Sequence, residues 1–422
     1  MNISSMYLKN FRCFKNFYVD FNSQITVFVG GNGSGKTSIL DAIAIFLGQI
    51  LSIYEKNKRS VIANTDVSIG AKEVEIKFVN SFAGKKYNFG LCFQKDNTSF
   101  VADLNIPETQ RLLRSVRSTD IPPFVYYGAQ RSLADLAECG TETSEGDSKR
   151  KSISSQVDFS ATAAWFIAKS SEEALEAVRR KDLNYRLPEL EAVRKAVVRA
   201  LGDYNEPYVS ETPPKLFMTK KDAPQIPLRL EQLSAGYRTM MALIMDLARR
   251  LTLAHAQCSS PFCANVLEMP GIVLLDEVEM HLHPSWQQTV LPSLLEIFPH
   301  VQFFVTTHSP QVLSSLEAQH IRILGPDSAV YLAPQGTWGA ESSRLLRQIF
   351  GVDNRPPSRA RDELNEYANL VYTDCGKSSR ALELRRILNA RYGQQEPKLV
   401  ELDLHMANRE WEMADEVEGM RP

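Results

Sequence analysis

Residues 25–38 read "ITVFVGGNGSGKTS", an apolar run that gives way to four glycines in six positions and closes on Lys36 and Thr37. Glycine costs on the order of 0.5–1 kcal/mol per position against alanine in a regular element, so a cluster directly after a buried strand serves a purpose that side chains would obstruct. Gly30, four further residues, Gly35, Lys36 and Thr37 satisfy G-x-x-x-x-G-K-[ST], and the following "TSILDAIAIFLGQIL" carries apolar residues at the helical spacing. Strand, glycine loop and helix in that order make a phosphate cradle. Backbone N–H groups of Gly31, Asn32, Gly33, Ser34 and Gly35 would close on an anion at the helix N-terminus. Lys36 supplies a point charge, and the Thr37 hydroxyl, beside Ser38, a Mg²⁺ ligand.

"GIVLLDEVEMHLHP", residues 271–284, supplies the complementary half. Asp276 closes an apolar strand and can hold Mg²⁺ through its water shell; the adjacent Glu277 can orient and deprotonate an attacking water. The two halves lie about 240 positions apart and must converge at the carboxyl ends of neighbouring strands. "LSAGYR" (233–238) places Ser234 at a helix start with Ala235 and Gly236 behind it, a second pocket of backbone N–H groups suited to a phosphate. "TTHSP" (306–310) sets His308 just past a strand end, within reach of a γ-phosphate. His281 and His283 in "HLHP" have no further Asp, Cys or His cluster to complete a metal set, so they are read as positioning their loop, with Pro284 opening the next helix.

Taken in order, these motifs resemble those of the ABC-type ATPases, in the branch that holds SMC, RecF and the compact prokaryotic AAA-family ATPases of the defence and overcoming-lysogenization type. "YLKNFRCFKNFYVDF" is similar to the first hairpin of that branch, and "LLDEVEMHLHPSWQ" with "FFVTTHSPQVL" to its compact members; the resemblance covers 1–131 and 225–330. It implies an α/β P-loop NTPase head with an antiparallel β-subdomain, a short helical insertion and a helical C-terminal extension. It also implies ATP and Mg²⁺ as cofactors, and a head-to-tail homodimer in which Lys36, Thr37, Asp276, Glu277 and His308 of one copy and Ser234 of the other grip one nucleotide. Arg12 corresponds to an arginine that contacts phosphate or base, and Gln130 to a glutamine that senses Mg²⁺ and the water. Two departures stand out: Ala235 replaces the usual signature glycine, and Tyr237-Arg238 replaces its glutamine-containing ending.

The expected organisation is an N-lobe over 1–131, a polar flexible loop over 132–159, a helical insertion over 160–210, a C-lobe over 211–335 and a helical region over 336–422 for oligomerisation or partner docking. Within the N-lobe, 73–80 and 85–94 read as a hairpin beside the main sheet and 124–130 as a further strand. The insertion is short, since only 197 positions separate Thr37 from Ser234, and long-range DNA tethering through a coiled coil is disfavoured. Its Lys169, Arg179, Arg180, Lys181, Arg186, Arg194, Lys195 and Arg199 form either a DNA-contacting surface or the solvated side of short helices.

A hydrophobic content of 44% supports a sizeable core, and a formal net charge of -2 leaves nucleic-acid binding undecided. Six cysteines without a CxxC pair read as reduced thiols of a cytoplasmic protein, and neither a signal peptide nor a membrane span is expected. The segment "QIFGVDNRPPSRARDELNEYANLV" resembles the tail of PtuA-like ATPases of Septu and retron-linked antiphage systems, which work beside a nuclease or toxin; no nuclease motif is evident in it. The expected function is an ATPase subunit that controls a separately encoded effector. The alternatives are a DNA repair ATPase clamping duplex DNA and a nucleotide-bound scaffold.

Overall fold

The computed structural model describes residues 1–54, 61–82, 85–96, 99–103, 122–128, 159–255, 265–393 and 395–419. In chain order, β1 (Asn2–Phe11) and β2 (Phe14–Asp20) form an opening hairpin, β3 (Ile25–Gly30) runs into the glycine loop, and α1 (Lys36–Tyr54) leaves it. β4 (Val61–Ile62), β5 (Glu73–Phe82), β6 (Lys85–Asp96), β7 (Ser99–Asp103) and β8 (Phe124–Tyr127) follow. Next come α2 (Phe159–Arg180), α3 (Pro188–Ala200), and the short strands β9 (Tyr208–Ser210), β10 (Lys215–Thr219) and β11 (Pro227–Arg229). α4 (Ala235–His255), β12 (Gly271–Leu275), α5 (Pro284–Ile297), β13 (Val301–Thr306), α6 (Pro310–Leu313), β14 (Ile321–Leu324), β15 (Val330–Leu332) and α7 (Ser342–Gln348) complete a first unit, Met1–Gly351.

A sheet of order β15-β14-β3-β13-β12-β8 forms the central layer, parallel except for β15. Its strands read as unbroken apolar runs because both faces are covered. Val27, Val29, Val125, Tyr127, Val273, Leu275, Phe303 and Val305 enter one core, and the alternate residues Phe28, Phe124, Tyr126, Ile272, Leu274 and Phe304 enter the other. On the second face lies α1, whose Ile39, Leu40, Ile43 and Phe46 are fully buried, each such side chain contributing about 1.5–3 kcal/mol of hydrophobic stabilisation. The antiparallel sheet β2-β1-β5-β6-β7-β4 backs that helix, with Phe46 stacked on Phe78 at 4.0 Å between ring centroids. On the first face, α2 to α5 pack through Phe166, Val193, Val197, Met241, Ile244 and Leu294.

The hairpin expected over 73–80 and 85–94 is β5–β6, beside the main sheet, and it extends the opening hairpin because β1 pairs with β5 from Asn2 to Lys9. Several expectations need correction. β3 and β12, expected as neighbours, have β13 between them. The strand expected over 124–130 covers Phe124–Tyr127, and residues 129 and 130 lie outside the described set, as does most of the 132–159 loop. α3, within the expected helical insertion, is part of the main core through Leu190, Val193, Ala196 and Val197. Arg194, counted among the basic residues of a surface, is 5% exposed and donates two hydrogen bonds to the Glu173 carboxylate at 2.8 and 3.0 Å. Glu173 also accepts the Leu187 N–H at 2.8 Å, which fixes the turn between α2 and α3. Lys169, Arg186 and Lys195 pair with Glu172, Glu206 and Glu191, and Arg179 and Arg180 share Glu176, so four carboxylates offset most of the charge of these five cations.

Val352–Pro422 form a second compact unit. It holds α8 (Arg359–Tyr372), α9 (Ser379–Tyr392) and α10 (Pro397–Gly419) around Leu364, Tyr367, Val371, Leu384, Leu388, Leu399 and Leu402. Ser358 and Ser378 cap α8 and α9 by accepting the Arg361 and Ala381 N–H groups, a contribution of about 1 kcal/mol each. Among the described residues no helix is long and apolar enough to cross a membrane.

Candidate nucleotide-binding site

The loop between β3 and α1 is shaped by what surrounds it. Gly35 has φ +94, and a Cβ there would stand 2.3 Å from the Phe14 ring of the opening hairpin. A Cβ on Gly30 would stand 2.8 Å from the Leu324 carbonyl at the end of β14. Packing therefore dictates glycine at both ends of the loop, whereas Gly31 and Gly33 border open space. Gly31, Asn32 and Gly33 are exposed, and Ser34 Oγ is buried without a hydrogen-bond partner. No acidic side chain occupies the first turn of α1, so its N-terminal dipole is left free to favour an anion.

Lys36 is 7% exposed and folds back on the loop, its Nζ donating to the Gly30 and Gly31 carbonyls at 3.0 Å each. Burial lowers its pKa; the nearby carboxylates of Asp276, Glu277 and Glu279 act in the opposite direction but do not cancel it. Ser38 shares a hydrogen bond with the Cys13 thiol, which ties the first turn of α1 to the opening hairpin.

Asp276, 3% exposed, sits just past β12. Its Oδ2 accepts from Thr37 Oγ1 at 3.0 Å, its Oδ1 accepts from Thr306 Oγ1 at 2.5 Å, and its N–H donates to the Tyr127 carbonyl at 2.9 Å. Thr306 ends β13, where it is the register partner of Phe28 in β3, and its hydroxyl also accepts the Glu277 N–H at 2.8 Å. Glu277 adopts φ +48, an uncommon value for a residue with a Cβ, held by that hydrogen bond and by Val278 N–H donating to the Thr306 carbonyl at 3.1 Å.

His308 is half-buried on the loop leaving β13, with its backbone N–H donating to Glu279 Oε1 at 2.5 Å. Glu279 Oε2 also accepts from Thr307 Oγ1 at 2.7 Å, so one carboxylate fixes the loop that presents the histidine. Gln287 ties the following turn, accepting from Ser309 Oγ at 2.6 Å and donating to the Leu282 carbonyl at 2.9 Å. His283 caps α5, its Nδ1 accepting the Ser285 N–H, with Pro284 in the first turn. Thr306 and Glu279 escaped sequence reasoning. Only the alternation of "DEVE" hints at Glu279, and nothing local marks Thr306 as different from Thr307.

Arg12, at φ +49, is clasped by two carboxylates. It pairs with Asp41 of α1 and with Asp66, to which its Nε donates at 2.9 Å, and its N–H donates to the Asp66 carbonyl at 2.9 Å. Burial alone would lower its pKa, yet the two carboxylates hold it above the ordinary arginine value. Tyr126 OH donates to the other Asp41 oxygen at 2.8 Å, and burial first, then Asp41, raises the phenol pKa. Arg12 is therefore built into the flank of α1 by residues that the motif gave no reason to expect.

Ser234 stands apart from this group. It is exposed at the start of α4, with Ala235 exposed and Gly236 buried, where a Cβ would meet the Trp286 ring at 3.3 Å. Tyr237 lies edge-on to both Trp286 and Tyr204, at 4.9 and 5.0 Å. α4 packs in the core on one face of the central sheet, α1 in the core on the other. Gln130 lies outside the described residues.

The Escherichia coli protein named "Retron Ec83 probable ATPase" is 28% identical to this chain, over 98% of the chain and 88% of the relative. "Septu protein PtuA" of Bacillus thuringiensis is 23% identical, over 79% of the chain and 80% of the relative. The solved SMC head domain from Thermotoga maritima is 15% identical and covers 80% of this chain and 100% of its own, with a TM-score of 0.43. By sequence the chain is related, at low identity, to a probable ATPase of a retron and to a Septu protein, and it carries a P-loop-like nucleotide-binding motif at Lys36. A family model described as "AAA domain, putative AbiEii toxin, Type IV TA system" matches residues 25–314, from β3 through the glycine loop and Asp276 to the turn beyond His308, and the chain belongs to that family.

Proposed function

We propose that this chain binds and hydrolyses ATP as the head of a cytoplasmic, paired ATPase, and that engagement and release of the pair control a separately encoded nuclease or toxin in antiphage defence. The observation that supports this reading is that the helix following the glycine loop and the helix following Ser234 pack on opposite faces of one sheet. The glycine loop, Thr37, Asp276 and Glu277 gather on the side of α1, while Ser234 opens a helix in the opposite core. A second copy turned head to tail brings its Ser234 helix N-terminus to the first copy's loop. The relatedness to retron and Septu ATPases, each matched over most of its length, supports the defence context.

Within this reading, 1–131 and 211–335 are the two lobes of the head, 160–210 an insertion, and 336–422 the region that joins heads or docks the effector. Thr37 Oγ1 and Asp276 Oδ2 are hard oxygen donors 3.0 Å apart at the mouth of the loop and fit Mg²⁺. When bound, the ion supplies charge neutralisation to the β- and γ-phosphates. Lys36 exchanges the Gly30 and Gly31 carbonyls for a phosphate oxygen, and the Glu277 carboxylate orients water and takes its proton. Glu279 steadies the loop from which His308 reaches the terminal phosphate, and Gln130 senses the metal and water. Arg12, ion-paired to Asp41 and Asp66, borders the phosphates from the hairpin side.

The test is Glu277→Gln. Steady-state turnover is expected to fall while ATP binding persists, and an ATP-dependent dimer is expected to accumulate by light scattering. A variant that binds ATP, turns over normally and never dimerises sinks the assignment. Strong stimulation of the wild type by duplex DNA would favour a repair ATPase instead, and ATP binding with no turnover a scaffold.

A further inference from the structure

Asp246 is a charged residue fully buried within the first unit, and the proposed nucleotide chemistry makes no use of it. It lies on α4, three turns past Ser234, and is 0% exposed. Its Oδ1 accepts from Thr162 Oγ1 at 2.9 Å and from Arg249 at 2.7 Å; its Oδ2 accepts from Tyr127 OH at 2.9 Å and from Arg250 Nε at 2.7 Å. Four donors from α2, α4 and β8 thus converge on one carboxylate. Burial alone would raise its pKa, and the two arginines overcome this and hold it below the usual carboxylate range. A buried ion pair of this kind is weak evidence for stability, since apolar packing serves a core as well or better; it fixes one arrangement of the elements that meet there.

Tyr127 is the informative partner. It is 0% exposed and works at both ends: its phenol reaches Asp246 on the α4 side of the sheet, while its backbone carbonyl accepts the Asp276 N–H at 2.9 Å. Leu275 and Tyr127 are register partners in the β12–β8 ladder, so the end of β12 and this residue move together. Tyr127 therefore connects the backbone of Asp276, the residue whose carboxylate meets Thr37, through its own carbonyl and a side chain with two torsions to the helix that follows Ser234.

We propose that Asp246 and Tyr127 are positioning residues that couple the state of the Asp276 site to the N-terminus of the Ser234 helix. The coupling rests on the nucleotide reading above. It makes the presentation of Ser234 to a partner copy depend on what the chain's own loop holds, through Asp276, Tyr127, Asp246 and the two arginines in turn.

The experiment is amide hydrogen exchange on the full chain with and without Mg-ADP, for wild type, Tyr127→Phe and Asp246→Asn, at a concentration where light scattering gives all three the same oligomeric state. Tyr127→Phe removes one hydroxyl and keeps the ring. In wild type, nucleotide is expected to slow exchange several-fold both at 31–38 and at 235–240. In Tyr127→Phe, the slowing at 31–38 should remain and that at 235–240 should vanish. Equal slowing at 235–240 in wild type and Tyr127→Phe, or none there in wild type despite slowing at 31–38, overturns the coupling and leaves the nucleotide reading standing. No slowing at 31–38 in wild type brings down both. If Asp246→Asn lowers the melting temperature sharply, the comparison stands on Tyr127→Phe alone.

Discussion

The Thr37 hydroxyl donates to Asp276 Oδ2 at 3.0 Å across 239 positions of sequence, joining the start of α1 to the end of β12, which the shared pairing with β13 brings close. Thr37→Ser keeps the oxygen, and Thr37→Val keeps the shape without it. Mg-nucleotide affinity is expected to stay near wild type in the serine variant and to fall by about 10- to 100-fold in valine, the scale of losing a hydrogen bond to a charged group at roughly 1.5–3 kcal/mol. Calorimetric titration with and without EDTA checks the assignment, because the valine effect should shrink when the metal is removed.

Gly35 and Gly31 separate two reasons for glycine in one loop. Gly35→Ala forces a Cβ to within 2.3 Å of Phe14 at φ +94, and it should lower stability by about 1–3 kcal/mol or more. Gly31→Ala points into open space and should melt with wild type. Thermal melts of the two variants decide this; equal destabilisation would mean that the opening hairpin does not press on the loop.

Lys36 makes a pH-dependent contribution whose sign follows from its lowered pKa. The unfolded lysine binds its proton more tightly than the folded one, so stability rises with pH through the interval below 10.5, as the buried ammonium is relieved of its charge. Lys36→Met removes that rise. Urea unfolding from neutral to alkaline pH should therefore show wild-type stability gaining on the variant as pH increases; a constant difference would mean that the ammonium is well solvated.

The strand–glycine loop–helix order and the position of Asp276–Glu277 just past an apolar strand were legible because each is a short local pattern along the chain. The central strands β12 and β13 were legible because burial on both faces leaves unbroken apolar runs. β14 and β15 were missed because they are four and three residues long, too short for a period to show, and are held by pairing with β3 and with each other. Thr306, Glu279, Asp41 and Asp66 matter through contacts made across the fold, and no local period announces them. Arg194 shows the limit most plainly: on a charged amphipathic helix it reads as solvated, and only Glu173 on the preceding helix makes its burial tolerable.

That pair yields a prediction which also bears on nucleic-acid binding. With Arg194 side-chain exposure at 7% and Glu173 at 12%, removing one partner strands a buried charge. Arg194→Ala should cost about 3–5 kcal/mol, whereas Arg194→Met combined with Glu173→Leu should come within about 1–2 kcal/mol of wild type, because both charges leave together. If the insertion serves the core here, the double variant will bind duplex DNA no more weakly than wild type at matched salt, while a loss of DNA affinity in a stably folded double variant would return Arg194 to the surface reading. Denaturant unfolding and a fluorescence-anisotropy DNA titration on the same samples settle both halves.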